Sequence, residues 1–234
     1  MKIRRLSALS LALALCLTLL GACGAKPAEE VPTVPMNVAI SSEGTLVLPC
    51  VTVNVPDEDG NGTVTVEEAL TAAHAANFKD GAAGFAMEDT EYGQSISKLW
   101  GVENGCYAYS YYVNTEYVLP DAELKTDDVI YAYSYSDLAG FSDTYSYFDT
   151  QKLTVSAPGK LSFTLFALGY DASYNPVSAP LAGAEITLNG EPTGIFSGEN
   201  GSFEITLDAK GEYVLSATWA EGVLAPPVCA ITVG

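Results

Sequence analysis

The chain has 234 residues and is strongly acidic: it carries 29 aspartates and glutamates against ten lysines and arginines, a formal charge of −19. Because three of the ten basic residues lie within the first 21, the remainder keeps seven lysines against all 29 acidic residues, a formal charge of about −22. This balance favours solubility and repels polyanions, so it excludes nucleic acid as a partner, and the roughly 200 residues after the first 22 suffice for one large or two small domains.

Residues 1–22 are predicted to be a lipoprotein signal peptide. Basic residues precede an apolar run from Leu6 to Leu20, which is too short to span a membrane comfortably. The run leads into Leu20-Gly21-Ala22-Cys23, which resembles the lipobox of bacterial lipoproteins. The resemblance implies a diacylglyceryl group on Cys23 and cleavage before it. The alternative is an ordinary secreted protein cleaved near Ala22.

Residues 23–35 are polar and contain prolines, a composition typical of an extended tether. A lipid on Cys23 and this tether together place the protein beyond the membrane surface. We therefore expect a protein of the cell envelope, anchored through its N-terminal lipid to the outer face of a bacterial membrane.

Residues 57–68 read D-E-D-G-N-G-T-V-T-V-E-E, the pattern of an EF-hand-like calcium loop. Oxygen-bearing residues fall at loop positions 1, 3, 5, 7, 9 and 12, and Gly62 takes the sixth position, where the backbone turns sharply. The predicted metal ligands are Asp57, Asp59, Asn61, Thr63, Thr65 and Glu68. Residues 46–55 look like a strand, whereas an EF-hand has a helix before its loop. The alternative interpretation is an acidic, solvent-exposed turn.

Residues 36–150 are predicted to form a first domain around this loop. The expected elements are strands over Val38–Ser41 and Thr45–Val55, a helix over Val66–Asn77, and tyrosine-rich strands over Cys106–Val113 and Val129–Tyr135. This strand–strand–helix–strand–strand order predicts an α+β sheet with a helix on one face. The tyrosines alternate along the two later strands, and they form either a binding surface or part of the core.

Four segments of this first domain resemble a known family. In order they read V-E-E-A-L-T-A-A-H, Y-G-Q-S-I-S-K-L-W-G, Y-S-Y-Y-V-N and L-K-T-D-D-V-I-Y-A-Y-S-Y, and they resemble the transcobalamin-like C-terminal domain of bacterial surface proteins. The resemblance covers about half of the chain and implies a β-grasp-like fold. Because the related domain of animal transcobalamins closes over cobalamin, it also implies cobalamin as a candidate ligand. The chain departs from the family at Thr115, where a glycine usually follows the asparagine.

Residues 151–234 are predicted to form a second domain of short strands with turns such as Asn189-Gly190. The expected strands are Lys160–Gly169, Ala184–Leu188, Gly201–Leu207, Tyr213–Thr218 and Val228–Val233. The segments P-L-A-G-A-E-I-T-L-N-G, G-E-N-G-S-F-E-I-T-L and K-G-E-Y-V-L-S-A resemble bacterial immunoglobulin-like repeats, which act as spacers or adhesive units. The predicted fold class is therefore an α+β β-grasp-like domain followed by an all-β immunoglobulin-like sandwich.

Residues able to carry out catalysis are scarce in this sequence. His74 is the only histidine, and its place on a helix face favours packing over acid–base chemistry or cobalt binding. No nucleophile elbow, phosphate loop or zinc-protease motif is present, so we expect a non-enzyme. Cys50 and Cys106 fall in one predicted domain and are candidates to pair, but we favour free thiols, and we expect Cys229 to be buried.

The leading hypothesis is a cell-surface calcium-binding lipoprotein whose first domain binds an unidentified surface ligand or protein and whose second domain is a spacer. One alternative is a capture protein for cobalamin or a related corrinoid that feeds uptake. A further alternative is an envelope protein with a purely structural role.

Overall fold

The computed structural model describes residues 32–234; the predicted signal peptide, Cys23 and most of the predicted tether lie outside the described residues. In chain order, the elements of the first half are β1 (Thr33–Ser42), β2 (Thr45–Pro56), α1 (Val66–Asn77), a 3-10 turn (Gly81–Gly84), β3 (Ala86–Thr90), β4 (Gly93–Lys98), β5 (Tyr109–Val113) and β6 (Val129–Ser134). The first sheet has the order β2-β1-β6-β5, with β1 parallel to β6 and the outer pairs antiparallel. The predicted strand–strand–helix–strand–strand order is confirmed, with the hairpin β3–β4 added before β5.

Helix α1 begins where the predicted metal loop ends. Thr65 caps it: the Thr65 N–H donates to Oε2 of Glu68 at 2.9 Å, and the Glu68 N–H donates back to the Thr65 hydroxyl at 3.4 Å. This capping box satisfies two of the N–H groups that the first turn leaves without partners. The helix ends at Phe78, whose backbone is extended. No helix among residues 32–234 is long and apolar enough to cross a membrane.

One face of the first sheet packs against α1 and forms the first core. Leu70 and Ala73 of the helix are fully buried against the sheet, which contributes side chains such as Val38, Val55 and Ile130. Fully burying a side chain such as leucine stabilises the fold by about 1.5–3 kcal/mol, so this face accounts for the position of the helix.

The second half is built entirely from strands and turns. Its strands are β7 (Thr144–Phe148), β8 (Lys152–Val155), β9 (Gly159–Tyr170), β10 (Pro176–Pro180), β11 (Glu185–Leu188), β12 (Glu191–Phe196), β13 (Ser202–Leu207), β14 (Gly211–Thr218), β15 (Leu224–Ala225) and β16 (Cys229–Val233). One sheet has the order β10-β9-β7-β15, with β13 also paired to β9, and the other has the order β12-β11-β14-β16-β8. All five strands predicted between residues 160 and 233 are confirmed.

Side chains from both of these sheets meet in a second core. Phe163, Leu165 and Phe203 come from one sheet, and Ile186 and Ile231 come from the other. β13 alternates outward and inward side chains in a strict exposed–buried repeat, and β16 alternates buried and partly buried ones. The second half is therefore a two-layer, all-β arrangement closed around an aromatic and aliphatic interior.

The tyrosines of β5 and β6 are divided between the two faces of the first sheet. Tyr111 of β5 faces the helix core, whereas Tyr131 and Tyr133 of β6 face the second half and are almost fully buried there. Tyr145 of β7 stacks on Tyr112, with ring centroids 3.7 Å apart and planes at 3°. These rings therefore form a third core between the first sheet and the second half, whereas Tyr107 and Tyr117, before and after β5, are exposed.

Candidate metal centre

The twelve-residue loop 57–68 directly connects a strand to a helix. β2 ends at Pro56 and α1 begins at Val66, so the element before the loop is a strand, as the sequence indicated. The loop turns at Gly60 and Gly62, whose φ angles are +70° and +92°. A residue with a Cβ is strained at these angles, which explains glycine at both positions.

Three of the six predicted ligands converge in this loop. Carboxylate oxygens of Asp57, Asp59 and Glu68 all lie within 4.8 Å of one another. None of these three side chains forms an ion pair among the described residues. Two like charges at this separation repel by about 1 kcal/mol even in water, a cost that a cation bound between them would offset.

Hydrogen bonds from the loop itself orient the carboxylates. Asp57 accepts the Asn61 N–H at 3.1 Å through Oδ1 and the Gly62 N–H at 2.8 Å through Oδ2. Asp59 accepts the side-chain amide of Asn61 at 2.8 Å, and Glu68 accepts the Glu58 N–H at 2.8 Å. Because the donors are mostly backbone groups, the positions of the carboxylates are set by the course of the chain.

The other three predicted ligands make local contacts in this structure. Oδ1 of Asn61 accepts the N–H and the hydroxyl of Thr63, at 2.8 and 2.6 Å. The Thr65 hydroxyl donates to Glu68 at 3.0 Å as part of the helix cap. The structure therefore brings the three carboxylates together, whereas the amide oxygen of Asn61 and the hydroxyl groups of Thr63 and Thr65 form hydrogen bonds within the loop.

Two residues that the sequence did not indicate border the same loop. Gln94 of β4 and Asp121, from the loop between β5 and β6, line a recess of about 390 Å³ together with the loop's polar side chains. The Leu124 N–H donates to the Val64 carbonyl at 2.8 Å and ties the Asp121 loop to this region. No local sequence signal links these residues, because they come from separate elements.

His74 is fully buried, as its place on the helix predicted. Nδ1 lies 2.7 Å from the Leu70 carbonyl oxygen, and Nε2 accepts the Trp100 N–H at 3.0 Å. Burial lowers the pKa of His74, so the ring is neutral near pH 7. Both ring nitrogens are engaged, so neither is free to bind cobalt. Cobalamin capture stays an untested alternative.

The cysteines at 50, 106 and 229 are free thiols, which confirms the preference against a disulfide. Burial raises the pKa of Cys50 to about 11 and that of Cys229 to about 12. Cys106 is half-buried at the surface, where its thiol donates to the Glu88 carboxylate, and this bond raises the pKa of Cys106. The two buried thiols are therefore unreactive near neutral pH.

No known family model matches the chain, and no curated protein matches it. Among solved structures, the four N-terminal Ig domains of Dscam1 isoform 9.44 align with 46% of this chain and 24% of their own, at 12% identity and a TM-score of 0.26. The same domains of isoform 6.9 align with 86% of this chain and 46% of their own, at 10% identity and a TM-score of 0.26. This chain spans less than half the length of either structure.

Proposed function

We propose that this protein is a calcium-stabilised, non-enzymatic module of the bacterial cell surface, anchored through a lipid on Cys23, that binds a ligand or another protein. One observation carries the calcium proposal: the carboxylates of Asp57, Asp59 and Glu68 converge within 4.8 Å in a loop with calcium-ligand spacing. Calcium is a hard cation that takes six to eight oxygen ligands. Carbonyl groups of the loop and water molecules would complete its coordination.

The position of the loop explains how calcium would stabilise the fold. Asp57 follows the last residue of β2, and Glu68 lies in the first turn of α1. An ion bound by both residues would join the edge strand of the first sheet to the helix that covers it. The unfolded chain has no such arrangement, so binding favours the folded state.

The architecture supports a binding or adhesive role. In the first half, the strand order β2-β1-β6-β5 with a parallel central pair and a helix on one face suits a β-grasp-like domain, in line with the resemblance to the transcobalamin-like family. In the second half, two sheets around one core suit an immunoglobulin-like spacer or adhesive unit. The third core, which includes Tyr131 and Tyr145, joins the halves, so they would present their surfaces as one body.

The test is thermal unfolding in excess calcium and in EDTA. A hundredfold excess over Kd stabilises a one-site protein by about 2.7 kcal/mol, which is a rise of several degrees in Tm. Glu68→Gln removes one charge but keeps an acceptor for the helix cap, so it should abolish the calcium effect while the fold persists. Asp171→Asn is the matched control, because Asp171 also accepts loop N–H groups, at 2.8 and 2.9 Å, but lies outside the cluster. Equal Tm values in calcium and EDTA would refute the proposal.

A further inference from the structure

A groove of about 730 Å³ lies between the β1–β2 hairpin and the second half, away from the acidic loop. Its floor is the outer face of β11 and β14. Its lining also includes Leu46 and Pro49 of the hairpin, and Trp219 and Val223 of the loop after β14. Small-molecule sites are typically concave, mostly apolar and about 300–1,000 Å³ in volume, and this groove falls within that range.

The floor of the groove carries two hydroxyl groups without protein partners. Thr187 of β11 and Ser216 of β14 are direct partners in the strand register. Their side chains point away from the second core, because Leu215 and Ala217 on either side of Ser216 point into it. Thr187 is 7% exposed and Ser216 is 9% exposed, and neither hydroxyl makes a hydrogen bond among the described residues. Neither oxygen is among the buried polar atoms that lack a partner, so both hydroxyls are reached from the groove and can bond to water or to a ligand.

The lining also lacks charge. None of its 16 residues is acidic or basic, although the chain has 29 acidic residues and a net charge of −19. An anionic ligand would meet the repulsion of the whole chain without a basic side chain to offset it. A cationic ligand would find no carboxylate among the lining residues. The groove therefore suits an uncharged ligand.

We propose that this groove binds an uncharged amphiphile: a mainly apolar molecule that carries one or two hydrogen-bonding groups. The apolar body lies between Leu46 and Trp219, and its polar group reaches Thr187 and Ser216 on the floor. The inference rests on the proposed role as a binding module, but it does not require calcium.

The test uses N-phenyl-1-naphthylamine, an uncharged fluorescent probe with one N–H donor, titrated into the full-length protein. We expect saturable binding of one probe per chain. Val223→Asp places a carboxylate in the wall and should weaken binding at least tenfold. Val177→Asp is the matched control and should leave affinity unchanged, because both valines are 45% exposed but Val177 lies on β10, away from the groove. Ser216→Ala should weaken binding about two- to tenfold through the lost hydrogen bond.

A charged analogue completes the design. 8-Anilinonaphthalene-1-sulfonate has the same aromatic skeleton with an added sulfonate, and we expect its affinity to be at least tenfold lower. No saturable binding of the neutral probe, or equal losses in Val223→Asp and Val177→Asp, would overturn the proposal. Each titration is run in calcium and in EDTA. A calcium-dependent Tm without probe binding would reject the groove and retain the proposed calcium site. Probe binding without an effect of calcium on Tm would retain the groove and reject the proposed calcium site.

Discussion

The stability of this protein should fall as the pH is lowered below about 6.5 because of one side chain, His74. The ring is fully buried and packs against aromatic neighbours, with centroids 5.2 Å from Phe85 and 5.3 Å from Trp100. Burial lowers its pKa in the folded state, whereas the unfolded chain keeps the ordinary value of 6.5. The unfolded state therefore takes up the proton first, and protonation favours unfolding.

The coupling between protonation of His74 and unfolding gives the sign and the size of this effect. The contribution of His74 is fully present above pH 6.5, and it is lost as the pH falls from there towards the lower folded pKa. Within that window the free energy of unfolding drops by up to about 1.4 kcal/mol per pH unit. Histidine is the side-chain type whose ordinary pKa lies between pH 5 and 8, and the chain has a single histidine, so the loss of stability in this window is assigned to His74.

The assay is urea unfolding at several pH values from 8 to 5.5, in EDTA throughout. His74→Phe keeps an aromatic ring in the core but leaves the Trp100 N–H without its acceptor, at a cost of about 1–3 kcal/mol. This variant should be less stable than the wild type at pH 8, with a nearly flat dependence on pH. A flat wild-type profile, or the same slope in His74→Phe, would refute the reasoning.

Two further predictions concern the free thiols and the contact between the halves. Cys106 should react with a maleimide in the native protein, whereas the buried Cys50 and Cys229 should react only after denaturant is added. Equal rates of maleimide reaction at all three cysteines in the native protein would contradict this burial. Tyr131→Phe removes a hydroxyl that donates to the Pro226 carbonyl at 2.7 Å, and it should lower the free energy of unfolding by about 1–3 kcal/mol. The control Tyr92→Phe changes an exposed tyrosine and should have almost no effect.

The sequence predicted those parts of the fold that depend on local signals. α1 was predicted over 66–77, as observed, because Leu70, Ala73 and His74 share one face at helical spacing. The capping box of Thr65 and Glu68 then fixes where the helix begins. The β11–β12 turn was predicted from Asn189-Gly190, whose φ angles of +53° and +83° suit a tight hairpin. The strand β10 was missed because it contains two prolines, which have no N–H group to donate to a neighbouring strand. A sheet accepts proline at its edge, and β10 is an edge strand.

Features that depend on distant contacts were not predictable. Alternation showed that tyrosines share a face on each strand, but it gave no sign that Tyr131 packs against the second half, because that depends on residues such as Tyr145 and Pro226. In the candidate metal centre, the loop's own residues were found from their spacing. Asp121 was missed because only the folded chain brings it to the recess.

Direct calcium titration by isothermal calorimetry tests the central claim most closely. The account predicts one calcium ion per wild-type chain and a loss of binding in Asp57→Asn, which keeps a side-chain oxygen to accept loop N–H groups but removes the charge. Asp171→Asn should bind calcium as the wild type does. Absence of binding heat in the wild type, or an undiminished affinity in Asp57→Asn, would contradict the account and leave residues 57–68 as an acidic turn.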